Sequence, residues 1–258
     1  MNCSVVSIHN CPVKTLSFQS LKSCNIKKNI GMTNDRIFAF SRGVNFEKAK
    51  LIEKNPNERK LNNFLTLKNS PVLNKYNFIY EKNNLTLTFK NKELISINLD
   101  NSEDLSLISE KLLELETSLA KPIFLLKNSD FPFYDTTNSN NVMNSISLIN
   151  INSIKDFEKK INEKVEIQRF RGNFYVDGIE ALEERNWINK VIKINNVPFK
   201  VEKNIPRCVA INLKPKTDDN SLNLLKSLKT TYDNFDMGIY LTSLDEGKVR
   251  IGDKIELN

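Results

Sequence analysis

The sequence predicts a mainly β protein of the α+β class. Short apolar runs alternate in the manner of strands over most of the chain, and asparagine-rich turns separate them. Helical spacing is confined to a few segments, of which the run from Asp104 to Leu119 is the longest. A chain of 258 residues is long enough for one large β-rich domain or for two smaller ones. We expect two domains, at residues 1–120 and 121–258.

The first half of the chain is predicted to form a series of strands. Cys3 to Ile8 alternates, the chain turns at Asn10 to Pro12, and Arg36 begins the apolar run 37–40. Further strands are predicted at residues 64–67, 78–80, 85–89 and 94–97, with turns at Asn83-Asn84 and Asn91-Lys92. This spacing is typical of a small barrel or sandwich.

The second half mixes strands with short helices. Pro122 ends the preceding helix, and the polar, turn-rich stretch from Asp130 to Asn144 indicates that the crossing between domains lies near here. Ser153 to Asp156 matches a capping box ahead of a helix through Glu163. The remaining predictions are strands at 123–126, 146–151, 165–169, 174–176, 191–194 and 199–202, a helix at 222–229, and a closing hairpin of 238–244 with 248–257.

Composition restricts the classes of function. No apolar run approaches the roughly 18 residues that a membrane span needs. The start of the chain lacks the basic and apolar regions of a signal peptide, so we expect a cytoplasmic protein with reduced thiols. With only 7 glycines and no glycine-rich phosphate loop, the nucleotide-binding motifs are absent. The formal charge of +7 favours nucleic acid only weakly, because the lysines are scattered among asparagines and acids.

The cysteines and the histidine narrow the chemistry further. Cys3, Cys11, Cys24 and Cys208 show no paired metal-type spacing, and nothing resembles an iron–sulfur segment. His9 is the sole histidine, which argues against a histidine zinc site or a Ser-His-Asp triad. We expect His9 to be a partly buried polar residue beside a strand end. We also expect the three N-terminal cysteines to be structural.

The most informative cysteine is Cys208, which follows Arg207 in the stretch 205–212. A fixed positive charge beside a thiol favours thiolate, the form that binds soft metals, and Pro206 predicts a turn just before it. On this stretch alone, a small buried core residue is the favoured interpretation of Cys208.

A second stretch lies upstream, Arg169-Phe170-Arg171-Gly172-Asn173, and the turn Asp177-Gly178 follows it. If this stretch is an extended strand, residues two apart share a face, so Arg169, Arg171 and Asn173 project together. A face of that polarity needs solvent, acids or an anionic ligand. The acids Glu180, Glu183 and Glu184 offer an ordinary surface ion-pair explanation.

Together these stretches resemble the MOSC family, which is named for the C-terminal domain of molybdenum cofactor sulfurase and includes the mitochondrial amidoxime-reducing component. The family carries Arg-Phe-Arg-Pro-Asn, an Asp-Gly-like turn, a tryptophan ahead of a strand and an Arg-Cys pair in that order. Here Trp187 stands between the two stretches. Near the N-terminus, Pro12-Val13-Lys14-Thr15 is similar to the family's Pro-Val-Lys-Ser, and Asp35-Arg36 is similar to its Asp-Arg.

The resemblance implies a β-barrel-like N-terminal domain, a MOSC β-barrel domain, and a molybdenum cofactor between them. Cys208 would be the metal ligand and catalytic residue. The reaction implied is the reduction of N-hydroxylated, amidoxime-like or N-oxide compounds, with electrons from a separate donor protein. Pyridoxal phosphate binding is also a family-level expectation, but no lysine is marked as a Schiff-base former. The residues implied to hold cofactor phosphate and pterin oxygens are Lys14, Thr15, Arg36, Arg171, Asn173, Arg207 and Tyr240, with one of Thr136, Thr137, Ser145 and Ser147.

Each of these residues has an ordinary alternative role. Lys14 resembles a surface lysine, Arg36 suits an edge salt bridge, and Tyr240 suits a strand aromatic. Three departures from the family pattern also stand out: Gly172 for proline, Thr15 for serine and Pro206 for serine. Two other classes of function remain open, a sulfur carrier that forms a persulfide on Cys208 and a non-catalytic binding module.

Overall fold

The structure, a computed structural model, describes residues 2–16, 18–101, 104–134 and 146–257. These residues form sixteen strands and four α-helices, which confirms the mainly β class. The strands are β1 (Ser4–Asn10), β2 (Gln19–Leu21), β3 (Ser23–Lys27), β4 (Gly31–Met32), β5 (Phe38–Phe40), β6 (Tyr76–Glu81), β7 (Asn84–Phe89), β8 (Lys92–Asn98), β9 (Leu125–Lys127), β10 (Ile146–Asn150), β11 (Phe174–Asp177), β12 (Val191–Ile194), β13 (Val197–Pro206), β14 (Asp236–Ser243), β15 (Gly247–Arg250) and β16 (Ile255–Leu257). The helices are α1 (Phe46–Lys54), α2 (Asp104–Leu115), α3 (Ile151–Ile161) and α4 (Leu224–Tyr232).

The largest sheet has eight strands in the order β16-β12-β13-β14-β10-β11-β1-β2. Its pairs are antiparallel except for β10 and β11, which are parallel. Strand β1 lies inside this sheet, with Ser4 opposite Asp177 and Ile8 opposite Phe174. The apolar face of the sheet is fully buried at Ile8, Phe174 and Ile239. Burial of this extent on several neighbouring strands makes the sheet the rigid frame of the second half of the chain.

The meander β6-β7-β8 forms a separate sheet under α2, and its strands confirm those predicted at 78–80, 85–89 and 94–97. Phe78, Leu85 and Leu87 are buried against Ile108 and Leu112 of α2. The helix ends at Leu115, one turn before the predicted Leu119. The three strands alternate apolar and polar residues with period two, and α2 has an apolar stripe at helical spacing. Both patterns are local, so the sequence alone located these elements.

Several predicted elements are wrong. Residues 64–67 form no strand, and only Phe64 makes an isolated bridge, to Ser41. Residues 165–169 are not extended, because Ile167–Phe170 forms a 3-10 helix. Helix α3 begins at Ile151, where Asn150 accepts a hydrogen bond from the Asn152 amide. The predicted capping serine, Ser153, instead bonds the buried carboxylate of Glu184 at 2.8 Å.

The closing hairpin is also wrong. Strand β14 pairs with β10 and β13, whereas β15 pairs with β3 and β16 pairs with β12. The turn at 245–247 therefore sends the chain from one sheet to another. Strand pairing crosses the predicted boundary after residue 120, because β1 lies beside β11 and β3 beside β15. The boundary itself stays a prediction.

Within the described ranges, no helix combines the length and the apolar character required to span a lipid bilayer.

Candidate functional site

A cavity of about 300 Å³ opens between residues from both halves of the chain. Six of the eight predicted site residues line it: Thr15, Arg36, Arg171, Arg207, Cys208 and Tyr240. The other two, Lys14 and Asn173, are not among the lining residues. Positions more than two hundred residues apart in the chain therefore meet at one place.

The cavity is lined by cations. Five positively charged side chains contribute to its wall, and none of the described lining residues is an aspartate or glutamate. A concave surface of one sign attracts a ligand of the opposite sign, and arginine suits phosphate and carboxylate because its planar fork donates two hydrogen bonds. The arrangement is suited to an anion. The five cations are Arg36, Lys68, Arg169, Arg171 and Arg207.

Cys208 is the exposed cysteine of the chain, whereas Cys3, Cys11 and Cys24 are buried. Pro206 is the last residue of β13 rather than part of a turn, which corrects the prediction. Cys208 then precedes the short 3-10 helix Val209–Asn212, and its carbonyl accepts a hydrogen bond from the Ile211 amide at 3.1 Å. The backbone at the thiol is thus fixed by the strand end on one side and the helical turn on the other.

Arg207 joins the two sequence stretches that carry the resemblance. Its Nη1 donates to the Phe170 carbonyl at 2.7 Å, and its Nε donates to the Met237 carbonyl at 2.8 Å, where Nη2 is also in close contact. Desolvation lowers the pKa of Arg207 from its usual value. Most donors of Arg207 are therefore used within the protein, and the residue adds positive charge to the cavity while holding its walls together.

Arg169 and Arg171 do not share the face that an extended strand would give them. The 3-10 helix ends at Phe170, and the next residue, Arg171, adopts a left-handed conformation with φ 50°. Arg169 is only 3% exposed, and it donates to Glu166 at 2.6 Å and to the Asn212 carbonyl at 2.7 Å. The acid that pairs with Arg169 is thus Glu166 and not one of the predicted acids, Glu180, Glu183 and Glu184. Arg171 Nη2 lies 2.8 Å from the sulfur of Cys11, so Cys11 is the buried cysteine in contact with the cavity wall.

Asn173 is buried behind the cavity, where its side chain hydrogen-bonds three separate segments of the chain. Its Oδ1 accepts hydrogen bonds from the amide and hydroxyl of Ser147 at 3.0 and 2.8 Å. Its Nδ2 donates to the His9 carbonyl at 3.1 Å and to Asp35 at 3.2 Å. Of the four Ser and Thr candidates, Ser147 lines the cavity, and Thr136, Thr137 and Ser145 lie outside the described residues.

In the region from Pro12 to Arg36, some buried polar groups bond other parts of the protein and one does not. Asp35 is fully buried, accepts a hydrogen bond from the Cys11 amide at 2.6 Å and forms an ion pair with Arg36. Lys14 is also buried, and its ammonium donates to the Phe133 carbonyl at 3.0 Å. The alternative role of Lys14 as a solvated surface lysine is thus wrong. In contrast, the buried hydroxyl of Thr15 has no hydrogen-bond partner in the described part of the chain.

Two glycines, Gly172 and Gly238, lie close to residues of the cavity wall. A Cβ on Gly172 would lie 2.7 Å from Cδ1 of Ile149, and the Gly172 amide donates to the hydroxyl of Tyr175 at 3.0 Å. Proline has a Cβ and no amide hydrogen, so this chain has a physical reason for glycine where the family has proline. Gly238 has φ +82°, and a Cβ there would lie 2.5 Å from the Leu148 carbonyl oxygen, close to the Arg207 contact.

Sequence reasoning missed Lys68 and the part that Asp35 plays. Lys68 is exposed and follows the misassigned run 64–67, so no local pattern marked it as a lining residue. Asp35 was noted only as half of an Asp-Arg pair. A buried carboxylate flanked by a buried asparagine is recognised only once three separate segments are brought together.

The fold and the cavity define a β-rich protein with a cation-lined cleft that includes an exposed thiol. Residues 135–256 match the family model described as the MOSC domain. This second half of the chain is therefore similar to a MOSC domain.

Two curated relatives carry the name mitochondrial amidoxime reducing component 2. The protein from Rattus norvegicus is 31% identical over 43% of this chain, and the one from Bos taurus is 30% identical over 40%. The matches span about a third of each relative, 36% and 34% of their lengths.

Solved structures of lower identity also align. The YUAD protein from Bacillus subtilis covers 100% of this chain and 96% of its own at 10% identity, with a TM-score of 0.44. YiiM from Geobacillus stearothermophilus covers 44% of this chain and 53% of its own at 16% identity, with a TM-score of 0.36.

Proposed function

We propose that the protein binds a molybdenum cofactor in the cation-lined cavity and is an oxidoreductase that reduces N-hydroxylated, amidoxime-like compounds or N-oxides. The observation that carries the proposal is the coincidence of five cations and the exposed thiol of Cys208 in one cavity, with no carboxylate among the lining residues that the structure describes. A phosphorylated pterin that holds a soft metal needs this combination of an anion site and a thiolate.

The residues present fit such a cofactor. The buried Thr15 hydroxyl has no partner within the described residues, and an unpaired buried polar group is costly unless a ligand bonds it. Thr15 stands where the family has serine, so the hydroxyl is kept. Arg36, Arg171 and Tyr240 line the same cavity and would donate to phosphate or pterin oxygens. A cavity of about 300 Å³ accommodates a ligand of modest size.

The chain's own residues would act mainly by binding and positioning. When bound, the cofactor supplies a metal centre able to exchange two electrons with a substrate. Cys208 would hold the metal, and the five cations would offset the negative charge of the pterin phosphate. Arg207 would keep Cys208 aligned with the Arg169–Asn173 stretch through its bond to the Phe170 carbonyl. Lys14 and Asn173 would act on the walls rather than on the ligand, because their polar atoms already bond neighbouring groups.

The electrons would come from a separate donor protein, and the relatives named amidoxime reducing component support this class of reaction. Cytoplasmic location stays a prediction that cell fractionation would test. A sulfur-carrier function uses the same exposed thiol, and it is the second candidate because Cys208 is the cysteine that solvent reaches.

The test is molybdenum content per chain in protein purified from a host that makes the cofactor. We expect a ratio near one for the parent and for Val209→Ala, whose exposed side chain is not a lining residue. We expect Cys208→Ala to lose the metal and amidoxime reduction with an artificial reductant, while its thermal unfolding stays unchanged.

Equal metal in Cys208→Ala and the parent would remove Cys208 as the ligand. If no variant holds metal and only the variants that retain Cys208 release sulfide on reduction, the sulfur-carrier function replaces this proposal.

A further inference from the structure

A second cavity, of about 280 Å³, lies against the first and is not used by the proposed function. Leu67, Arg169, Arg171 and Ala210 line both cavities and form the wall between them. We call the second one the Phe18 cavity, since the half-buried Phe18 lines it and is not a lining residue of the first cavity.

The Phe18 cavity has the charge of an anion site. Arg169, Arg171 and Lys216 line it, and no aspartate or glutamate does so within the described ranges. Arg169 is 3% exposed, and its Nε and Nη1 bond Glu166 and the Asn212 carbonyl. Its Nη2 makes no hydrogen bond to any described residue and remains a donor for a ligand.

The neutral polar groups of this cavity also present donors. The oxygen of the Asn77 side chain accepts from the Phe18 amide at 3.1 Å, so the amide nitrogen of Asn77 is the end left for a ligand. Within the described chain, the Gln168 amide and the Lys216 ammonium make no hydrogen bond or ion pair. The side-chain oxygens of Gln168 and Asn74 are acceptors in the same cavity, but every charged group that lines it is a cation, and this positive charge favours an oxyanion over a cation or a neutral polar group.

The Phe18 ring adds a flat apolar surface that is held in place. The imidazole of His9 stacks on it with centroids 4.4 Å apart, and the Arg171 guanidinium lies 5.9 Å from its centroid. The hydroxyls of Ser20 and Ser7 lie 3.1 and 3.3 Å from the two His9 nitrogens. A ring fixed on one side by a hydrogen-bonded imidazole is a preorganised platform for another flat ring.

We propose that the Phe18 cavity is a second anion site, which takes a carboxylate or phosphate attached to a flat ring. The oxyanion lies against Arg169 and Lys216, and the ring lies against Phe18. This inference does not depend on molybdenum in the first cavity. The group that binds is either a separate small molecule or a charged arm of the ligand that fills the first cavity, because Arg171 lines both.

The test uses phenyl phosphate and inorganic phosphate as probes and isothermal titration calorimetry on the full chain. We expect Lys216→Glu to weaken phenyl phosphate binding by about tenfold or more, the loss of one charge-assisted contact. The matched control is Lys248→Glu, the same charge change at an exposed residue of β15 that lines neither cavity. Lys68→Glu tests the first cavity in the same way.

Phe18→Leu separates the ring from the anion: we expect weaker phenyl phosphate binding and unchanged binding of inorganic phosphate. The two sources are distinguished by repeating the titration on protein of known molybdenum content. Equal affinity with and without metal indicates a separate molecule, and competition indicates an arm of one ligand. The proposal is overturned if Lys216→Glu and Lys248→Glu behave alike, or if Lys68→Glu alone abolishes binding.

Discussion

The two walls of the cation-lined cavity differ in what their polar groups bond to. In one wall, formed by Arg169, Arg207 and Ser147 with Asn173 behind them, nearly every polar atom bonds another part of the protein. In the other, formed by Thr15, Lys68 and Cys208, the side chains make no hydrogen bond to the described residues. We call these the bonded wall and the open wall.

Within the Arg-Phe-Arg-Gly-Asn stretch, which carries the family resemblance, the side chains of Arg169 and Asn173 thus bond other parts of the protein. A buried amide with four partners cannot leave them for a ligand without leaving those partners unpaired. Side chains of the open wall can bind a ligand without breaking a hydrogen bond to the described residues. The comparison therefore predicts that substitutions in the bonded wall change stability, and that substitutions in the open wall change binding.

Asn173→Ala gives the largest expected effect. Removing this side chain takes away its hydrogen bonds to Asp35, to the His9 carbonyl and to the amide and hydroxyl of Ser147 in the interior, so we expect the free energy of unfolding to fall by about 3 kcal/mol. Urea denaturation measures it. The control is Asn220→Ala, at an exposed asparagine, which we expect to change it by less than about 0.5 kcal/mol. Unchanged stability with lost cofactor would instead place Asn173 among the ligand-binding residues.

His9, whose carbonyl bonds Asn173, makes the region behind the bonded wall sensitive to pH. Burial lowers the pKa of His9 to about 4, whereas an unfolded histidine titrates near 6.5. Between these values only the unfolded chain takes up the proton, so stability is full above about pH 6.5 and falls as pH is lowered towards 4. We expect a loss of about 2 kcal/mol that His9→Gln does not show.

Urea denaturation at pH 7 and pH 4.5 compares the two proteins. His9 is the sole histidine of the chain, so one imidazole resonance in the NMR spectrum reports its titration directly. A midpoint near 6.5 would show that the ring is hydrated and would contradict the prediction.

Gly172→Ala tests the close packing of the bonded wall. The new Cβ would meet Cδ1 of Ile149 at 2.7 Å, and we expect a loss of about 1 kcal/mol in unfolding free energy, since the neighbour is the far end of a flexible side chain. Adding Ile149→Val removes that methyl group. The free energy of unfolding of the double variant should therefore be closer to that of Ile149→Val alone than the sum of the two single effects predicts. Strict additivity in thermal or urea unfolding would show that the two positions do not touch.

Thr15→Val should give the smallest change, and of opposite sign. Replacing an unpaired buried hydroxyl with a methyl group removes a desolvation cost, so we expect the cofactor-free protein to gain up to about 1 kcal/mol. Thr15→Ser keeps the hydroxyl and is the matched control. Molybdenum content should fall for Thr15→Val and not for Thr15→Ser. A destabilised Thr15→Val protein with full metal would place Thr15 in the bonded wall.

Local patterns in the sequence identified the elements whose partners are near in the chain. The strands β6, β7 and β8 alternate cleanly and are joined by asparagine turns, so their positions and pairing followed directly. The closing hairpin failed because β14, β15 and β16 take partners from three distant segments, and a turn signal does not say which strand will lie alongside.

The sequence predicted which residues line the cavity better than it predicted their backbone conformation. Ordered matches in the sequence selected six residues that do meet, but the Arg169–Asn173 stretch is too short to distinguish an extended strand from a 3-10 turn. The left-handed conformation of Arg171 has no sequence signal, since glycine or asparagine is the usual residue there. The extended-strand model therefore predicts that Asn173 lies on a polar face that meets solvent, acids or an anionic ligand, whereas its side chain bonds β1, β10 and Asp35.

The position of β1 has a consequence for synthesis of the protein. Ser4 pairs with Asp177, so the first strand leaves the ribosome long before its inner partner exists. At roughly 5–20 residues per second, β1 waits on the order of ten seconds for β11. A fragment that begins at residue 121 would never receive β1 at all. It would expose Phe174, Tyr175 and Val176 along an unpaired edge, the kind of edge on which chains aggregate.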